Sequence, residues 1–424
     1  MQPLAIRAYT ATTALGRGRA AQAEALRTRR SGLRRNDFGA DPLDCWIGRV
    51  DGLEDAALPG AWTRWECRNN RLAWLALQHD GVLDVVASMK ARYGAERVAI
   101  VLGTSTASIG ATEEAYARLD GDAFPADLAQ PIVHTVHSLG DFVQHATGLR
   151  GPCVTVATAC SSSAKVFAQA SRLIEAGLAD AALVGGVDTL CGSVLFGFNA
   201  LELVSPEPCR PFDAQRRGLS LGEAGGFAVL ERVDAGGFAV LERIGENESG
   251  LQLRGYGESS DAHHMSTPHP EGLGAQHAMR DALARARVDA GAVGYLNLHG
   301  TATPANDKVE AFAVAQLFPA TLHASSTKGW TGHTLGAAGI VESVFALIAL
   351  EDGAMPGILN SVTPDAACGP QIKFHDGRFD DGRFDNGHFD NGRFDAASAD
   401  QPRYAMNNSF GFGGNNCSLL FGRA

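Results

Sequence analysis

The sequence has 424 residues, 45% hydrophobic and 20% charged, enough apolar material to bury a large core in one or two globular domains, which excludes a disordered chain. A formal net charge of −11 argues against a general phosphate-binding surface and so against nucleic acid as a partner. No stretch approaches the roughly 20 apolar residues that span a bilayer, and the amino terminus lacks a long apolar run after its charges, so export and membrane insertion are not expected. The eight cysteines, at positions 45, 67, 153, 160, 191, 209, 368 and 417, form no CxxC pair and no Cys/His group at zinc spacing, a pattern of reduced thiols that points to a cytoplasmic protein without a bound metal.

In chain order, apolar runs of strand type alternate with helical patterns. The basic stretch LRTRRSGLRR (26–35), and Arg64, Arg68 and Arg71 near one face of an expected helix, are either binding patches or plain solvated helical faces. Strand-like runs follow at RVAIVLGTS (97–105), CVTVATA (153–159) and DAALVGGVDTL (180–190). Each leads into a helix or loop, which reads as α/β layering around buried, mostly parallel strands. The second half repeats the plan. GYLNLHG (294–300) and ASSTKG (324–329) are strand-to-loop transitions, GAAGIVESVFALIAL (336–350) is a buried helix, and NCSLLFG (416–422) is a closing strand. Two related halves are expected, residues 1–250 and 251–424.

Two stretches are internal duplications. AGGFAVLER occurs at 224–232 and again, identically, at 235–243. Only one copy can serve as a given central strand, so the other forms a neighbouring strand, a hairpin arm or an extruded loop, and the sequence leaves open which copy does what. From Asp376 to Asp395 runs DGRFD DGRFD NGHFD NGRFD. A phenylalanine every fifth position matches neither helix nor strand, each unit carries a turn dipeptide, and the acidic residues lack calcium-loop spacing, so an inserted surface loop is expected.

Four segments carry chemistry. In VTVATACSSSAKVFAQASRLIEAG a strand-like run ends at Cys160 and a small-residue helix begins directly afterwards. There the free N–H groups and the helix dipole favour the reactive thiolate and can hold an oxyanion. In LNLHGTATPANDKVEA, His299 follows an apolar strand and precedes Thr301, Thr303 and Asp307. SSTKGWTGHTLGAAGIVE places Lys328 at a strand end, His333 beyond it and Glu342 in the next helix. A nearby cation keeps an imidazole neutral. In NNSFGFGGNN, glycines on both sides of Phe412 allow a mobile aromatic and free backbone N–H groups. Any one of these segments alone admits a bland structural reading, a buried cysteine above all.

Together with GFNALELVSPEPCRPFDAQRRGLSLGEAGG, these segments resemble the elongating β-ketoacyl-acyl carrier protein synthases over essentially the whole chain. The resemblance implies a thiolase-like α/β fold, two related halves in a five-layered αβαβα arrangement. It implies a family that is usually dimeric. Carried over by position, Cys160 accepts the acyl group and the Cys160 and Phe412 amides stabilise the oxyanion. His299 and His333 assist decarboxylation of a malonyl thioester, Lys328 and Glu342 form a supporting ion pair, and Phe412 is a gate. Thr301, Thr303, Phe410, Gly411 and Gly413 contact substrate, and Arg64, Arg68, Arg71 and Arg210 meet an acidic carrier protein. No cofactor is implied beyond the phosphopantetheine that carries the substrates.

The two duplications depart from the family's shorter connections without touching these motifs. The ELVSPEPCRPFDAQRRGLSLGEAGG and YGESSDAHHMSTPHPEG stretches look closer to synthases of specialised bacterial pathways, such as aryl polyene or pigment assembly, than to housekeeping ones. The alternatives are a chain-length-factor subunit, which normally lacks the nucleophile and could equally be this chain's partner in a heterodimer, a starter-unit synthase, with Asn at position 333, and a thiolase, for which Cys417 is the second cysteine to check.

Overall fold

The computed structural model describes residues 1–126, 128, 131–233, 250–374 and 401–424. The second AGGFAVLER copy and the DGRFD repeat lie outside the described residues. The first half contributes β1 (Leu4–Thr13), β2 (Val98–Gly103), β3 (Cys153–Val156), β4 (Ala181–Asp188) and β5 (Ala224–Arg232). The second contributes β6 (Leu251–Ser260), β7 (Val293–Asn297), β8 (His323–Ser325), β9 (Tyr404–Gly411) and β10 (Asn415–Arg423). The helices that position the site are α1 (Arg68–Leu77), α2 (Ile109–Ala117), α3 (Ser162–Glu175), α4 (Gly192–Ala200), α5 (Leu273–Ala286), α6 (Pro304–Leu317) and α7 (Ala338–Asp352).

The ten strands follow one hydrogen-bonded path, β8-β7-β9-β10-β6-β1-β5-β4-β2-β3. Each half places its own strands in the same order, third, second, fourth, fifth, first. In each, the first three strands of that order are parallel and the last two antiparallel. The halves meet where β1 pairs with β6 through Leu4↔Leu253 and Ala5↔Gln252.

The apolar runs divide by residue parity, as side chains of a strand must. Ala99 and Val101 of β2, Ala182 and Val184 of β4, and Ala228 and Leu230 of β5 face a central core shared with α3, α7 and strands of the second half. Val98, Ile100 and Leu102, Ala181 and Leu183, and Phe227 and Val229 face an outer core with α1. A third core joins α5 and α6 to β7, β9 and β10. The layers are therefore helix, sheet, paired central helices, sheet, helix. The first copy of AGGFAVLER forms β5: its Phe227 and Leu230 fill opposite cores, and its buried Glu231 accepts Arg92 Nη1 at 2.9 Å and Tyr93 Oη at 2.6 Å.

The central helices approach closely because Gly339 has no Cβ; one placed there would lie 2.3 Å from the Ala164 nitrogen. Among the described residues no helix is long and apolar enough to cross a membrane.

Candidate active site

After β3 the chain turns sharply through Ala159, whose φ is +52°, and reaches Cys160 just before α3 begins at Ser162. The turn is tied by Thr158 N–H donating to Ser162 Oγ at 2.9 Å and Ser161 Oγ donating to the Thr158 carbonyl at 2.9 Å. Cys160 is buried, 6% exposed. The backbone N–H groups of Phe412 and of Cys160 itself address its sulfur and favour the anion.

His333 lies in the loop between β8 and α7. Its N–H donates to the Ser220 carbonyl at 2.7 Å and its carbonyl accepts from Gly222 N–H at 2.9 Å, so the peptide is fixed on both sides. Nε2 lies 3.0 Å from Cys160 Sγ. His299 stands just beyond β7, and its N–H and that of Gly300 both donate to the Glu310 carboxylate on α6, at 2.8 Å each. The two imidazoles meet edge to face, ring centroids 5.4 Å apart. One donor atom from each of Cys160, His299 and His333 falls within 4.8 Å of the others.

The electrostatics follow from burial. Burial, then Lys328, and for His299 the neighbouring His333, hold both imidazoles well below the usual histidine range, so both are neutral near pH 7. Lys328, 1% exposed, is ion-paired with Glu342. Burial pushes the Glu342 carboxyl up to about 7, with Lys328 opposing. The expectation of a thiolate at Cys160 needs correction: burial pushes the thiol up to about 11, and Lys328 and the two N–H groups only partly offset it. The resting pair is a neutral thiol against a neutral imidazole at hydrogen-bond distance. Proton transfer to His333 during attack is the step this geometry allows.

The remaining expected residues divide. The Phe410 ring centroid lies 6.0 Å from that of His299, and a Cβ on Gly411 would sit 3.2 Å from the Cys160 nitrogen. Phe412 stacks on Phe198 of α4 at 5.7 Å, with Gly413 beside it at φ +76°. Thr301 and Thr303 face each other, hydroxyls 2.9 Å apart, at the start of α6. The arginines are engaged within the chain. Arg68 pairs with Glu54 at 2.5 Å and the buried Glu223 at 2.6 Å, Arg71 pairs with Glu66, and Arg210 pairs with Glu207 at 2.7 Å. Arg64 lies 3.8 Å over the Trp65 ring. It belongs to a separate 3-10 turn, Gly60–Trp65, so a single helix face carrying all three arginines does not exist. Cys417 lies inside β10, where burial and Glu258 push its thiol up; among the described residues Cys160 is the one cysteine in the Cys/His cluster.

The family models match in both halves: "Beta-ketoacyl synthase, N-terminal domain" over residues 69–235 and "Beta-ketoacyl synthase, C-terminal domain" over residues 251–362. A chain of the solved ketosynthase and chain length factor complex from Xenorhabdus doucetiae is 33% identical, with a TM-score of 0.85, covering 100% of this chain and 98% of that one. The chain belongs to the beta-ketoacyl synthase family. Its fold is that of the solved ketosynthases, among them a beta-ketoacyl synthase from Burkholderia phymatum STM815, 27% identical over 100% of both chains at TM-score 0.82. The 3-oxoacyl-(acyl-carrier-protein) synthase, mitochondrial, of Arabidopsis thaliana is 37% identical over 65% of this chain and 57% of its own length. A 3-oxoacyl-(acyl-carrier-protein) synthase 2 of Rhizobium meliloti is 37% identical over 65% of this chain and 62% of its own length. The chain thus matches less than two thirds of the length of these curated relatives.

Several buried groups were given no role in the sequence reading. Glu310 fixes the His299 peptide. Asp307 accepts Phe212 N–H at 2.7 Å and Ala302 N–H at 3.1 Å, joining the 212 and 302 loops. Their spacing of three in NDKVE, one helical turn, was the available signal. Phe198, which stacks on Phe412, had none.

Proposed function

We propose that the chain is a β-ketoacyl-acyl carrier protein synthase that catalyses decarboxylative condensation, with Cys160, His299 and His333 as the catalytic residues. The observation that carries this reading is the 3.0 Å approach of His333 Nε2 to Cys160 Sγ, with His299 completing the cluster. The Cys160 sulfur attacks the acyl thioester carried on the phosphopantetheine of an acyl carrier protein. The new C–S bond forms as the carrier thiol leaves with a proton, and the Cys160 and Phe412 amides hold the oxyanion. A malonyl thioester then enters. The neutral imidazoles of His299 and His333 donate to its carbonyl oxygen as carbon dioxide departs and enolate charge builds. The enolate carbon attacks the acyl-cysteine, which releases Cys160 and a β-ketoacyl carrier protein longer by two carbons.

Burial and then Lys328 keep the imidazoles neutral, with Glu342 as the ion-pair partner of Lys328, and Phe412 separates the two half-reactions by moving against Phe198. Thr301, Thr303, Phe410, Gly411 and Gly413 contact the pantetheine and the reacting thioester. Arg64, stacked but not ion-paired, is the best placed of the four arginines to meet the carrier protein. We place the halves at 1–250 and 251–424, on the repeated strand order. We assign the work to the cytoplasm, supported by eight free cysteines, and to a specialised pathway, on the resemblance of the 202–226 and 256–272 stretches. A homodimer, or a heterodimer with a chain-length-factor subunit, is supported by β3, an outer strand of the sheet and half-exposed along its whole length. A chain-length-factor identity for this chain itself is disfavoured by the presence of Cys160.

Incubation with acyl carrier protein loaded with a medium-length acyl group is expected to add that acyl mass to the intact protein. No adduct, or an adduct that survives Cys160→Ala, would refute the nucleophile.

A further inference from the structure

The reaction just described leaves one buried charge without a role. Asp188, the last residue of β4, is fully buried. Its hydrogen-bond donors are all neutral: Thr104 Oγ1 at 2.6 Å, Ser105 N–H at 2.9 and 3.0 Å, Ser105 Oγ at 3.0 Å, Thr106 N–H at 2.7 Å and Thr106 Oγ1 at 2.6 Å. Burying a carboxylate among neutral donors is expensive even when every lone pair is filled, and a loop that needed only to turn would not require one.

The loop so gathered follows β2, the place in the first half that corresponds to the His299 loop after β7. Ser105 passes the contact on. Its Oγ donates to Asp188 and accepts Gly336 N–H at 3.1 Å, three residues beyond His333. Gly336 packs against the carboxylate so tightly that a Cβ there would lie 2.5 Å from Asp188 Oδ2. Between them Leu335 adopts φ +56°, left-handed backbone that a leucine accepts only when its surroundings over-determine it. Its side chain supplies part of that, buried among Leu190, Leu195, Leu219 and Leu221. This frame matters because His333 Nδ1 is buried with no hydrogen-bond partner among the described residues. No side chain among the described residues holds Nδ1, so beyond the Cys160 contact at Nε2 the ring's aim comes from its peptide, pinned by Ser220 and Gly222 at one place and by Ser105 at the other.

The Asp188 charge is also felt at the nucleophile. Around Cys160, Lys328 and the two N–H groups favour the thiolate and Asp188 opposes it, with neutral His299 and His333 alongside. Asp188 likewise opposes ionisation of Cys191, where Glu113 acts in the same sense.

We propose that Asp188 is a positioning residue of the condensing centre, which fixes through the Ser105 hydroxyl the peptide frame that carries His333 and sets the field at the Cys160 sulfur. The inference rests on the functional reading of Cys160 and His333 above, and its test separates the two. Alkylation of Cys160 by iodoacetamide, followed by mass spectrometry over a pH series, needs no condensation. Asp188→Asn is expected to lower the midpoint of that profile by about one pH unit. Ser105→Ala, which keeps the charge, is expected to leave the midpoint in place and slow carbon dioxide release from malonyl carrier protein by about tenfold in kcat, with KM little changed. Ser105→Thr, which keeps the hydroxyl, restores the rate. Superimposable profiles for wild type and Asp188→Asn, or wild-type turnover by Ser105→Ala, would overturn the proposal; should Asp188→Asn fail to fold, the serine variants decide it. A wild-type protein whose Cys160 resists alkylation throughout would instead count against the functional reading.

Discussion

In each half the third strand ends in a loop that carries a reactive side chain into the central layer and then enters a central helix. In the first half these are β3, Cys160 and α3; in the second, β8, His333 and α7. The strand order is the same, yet the chemistry is divided. Cys160 stands two residues before the α3 start at Ser162, within reach of the positive helix end. His333 stands five residues before α7 begins at Ala338, too far for that field to act on it, and burial, then Lys328, holds it neutral instead. The loops after the second strands diverge too: β7 leads to His299, β2 to a serine loop gathered around Asp188. One scaffold used twice supplies the nucleophile from the first half and the imidazoles from the second.

That division can be broken from either side. The largest expected effect is on the second half: His333→Ala should lower carbon dioxide release from malonyl carrier protein by about 10²-fold or more, and slow acyl transfer to Cys160, whose proton it accepts, by less. Equal loss of both, measured by gas release and intact mass, would mean that the halves do not divide the work. Next in size is the contact that aligns them. Gly339→Val puts a side chain against the Ala164 backbone and should destabilise the fold by about 3 kcal/mol in denaturant titration; an unchanged midpoint would mean that α3 and α7 are not locked together.

The smallest effect reads the buried charges. The folded-state pKa of His333 is depressed, so its stabilising contribution is complete above the unfolded value of 6.5 and is lost as pH falls below it. Glu310 and Glu342, raised to about 7, act in the opposite sense, their contribution being lost as pH rises from 4.5 toward 7. The two trends offset one another in the wild type. Removing one imidazole exposes the balance: relative to wild type, His333→Ala should gain stability on acidification below pH 6.5, by up to about 1.4 kcal/mol per pH unit. A constant difference between the two proteins, from urea titrations at neutral and mildly acid pH, would remove the depressed imidazole from the account.

The parts legible in the sequence were the local ones. Cys160, His299, His333 and the Lys328–Glu342 pair sit in short segments where strand, turn and helix follow each other without interruption, so their neighbours along the chain are their neighbours in space. The ionisation of Cys160 was misread because the helix start is local while the burial that outweighs it comes from both halves. The arginine face was misread because helical counting ran through the Gly60–Trp65 turn, which ends before α1. Asp188 was invisible: it closes an apolar strand and acts on loops about 80 and 150 residues away along the chain, which no local pattern reports.

The central claim is that a nucleophile from the first half and a decarboxylating pair from the second act at one centre but do separate work. Carbon dioxide release from malonyl carrier protein by Cys160→Ala tests it most directly. The account predicts that release continues without the nucleophile and falls when His333→Ala is added. Release that stops with Cys160→Ala alone, in a protein that remains folded, would contradict it.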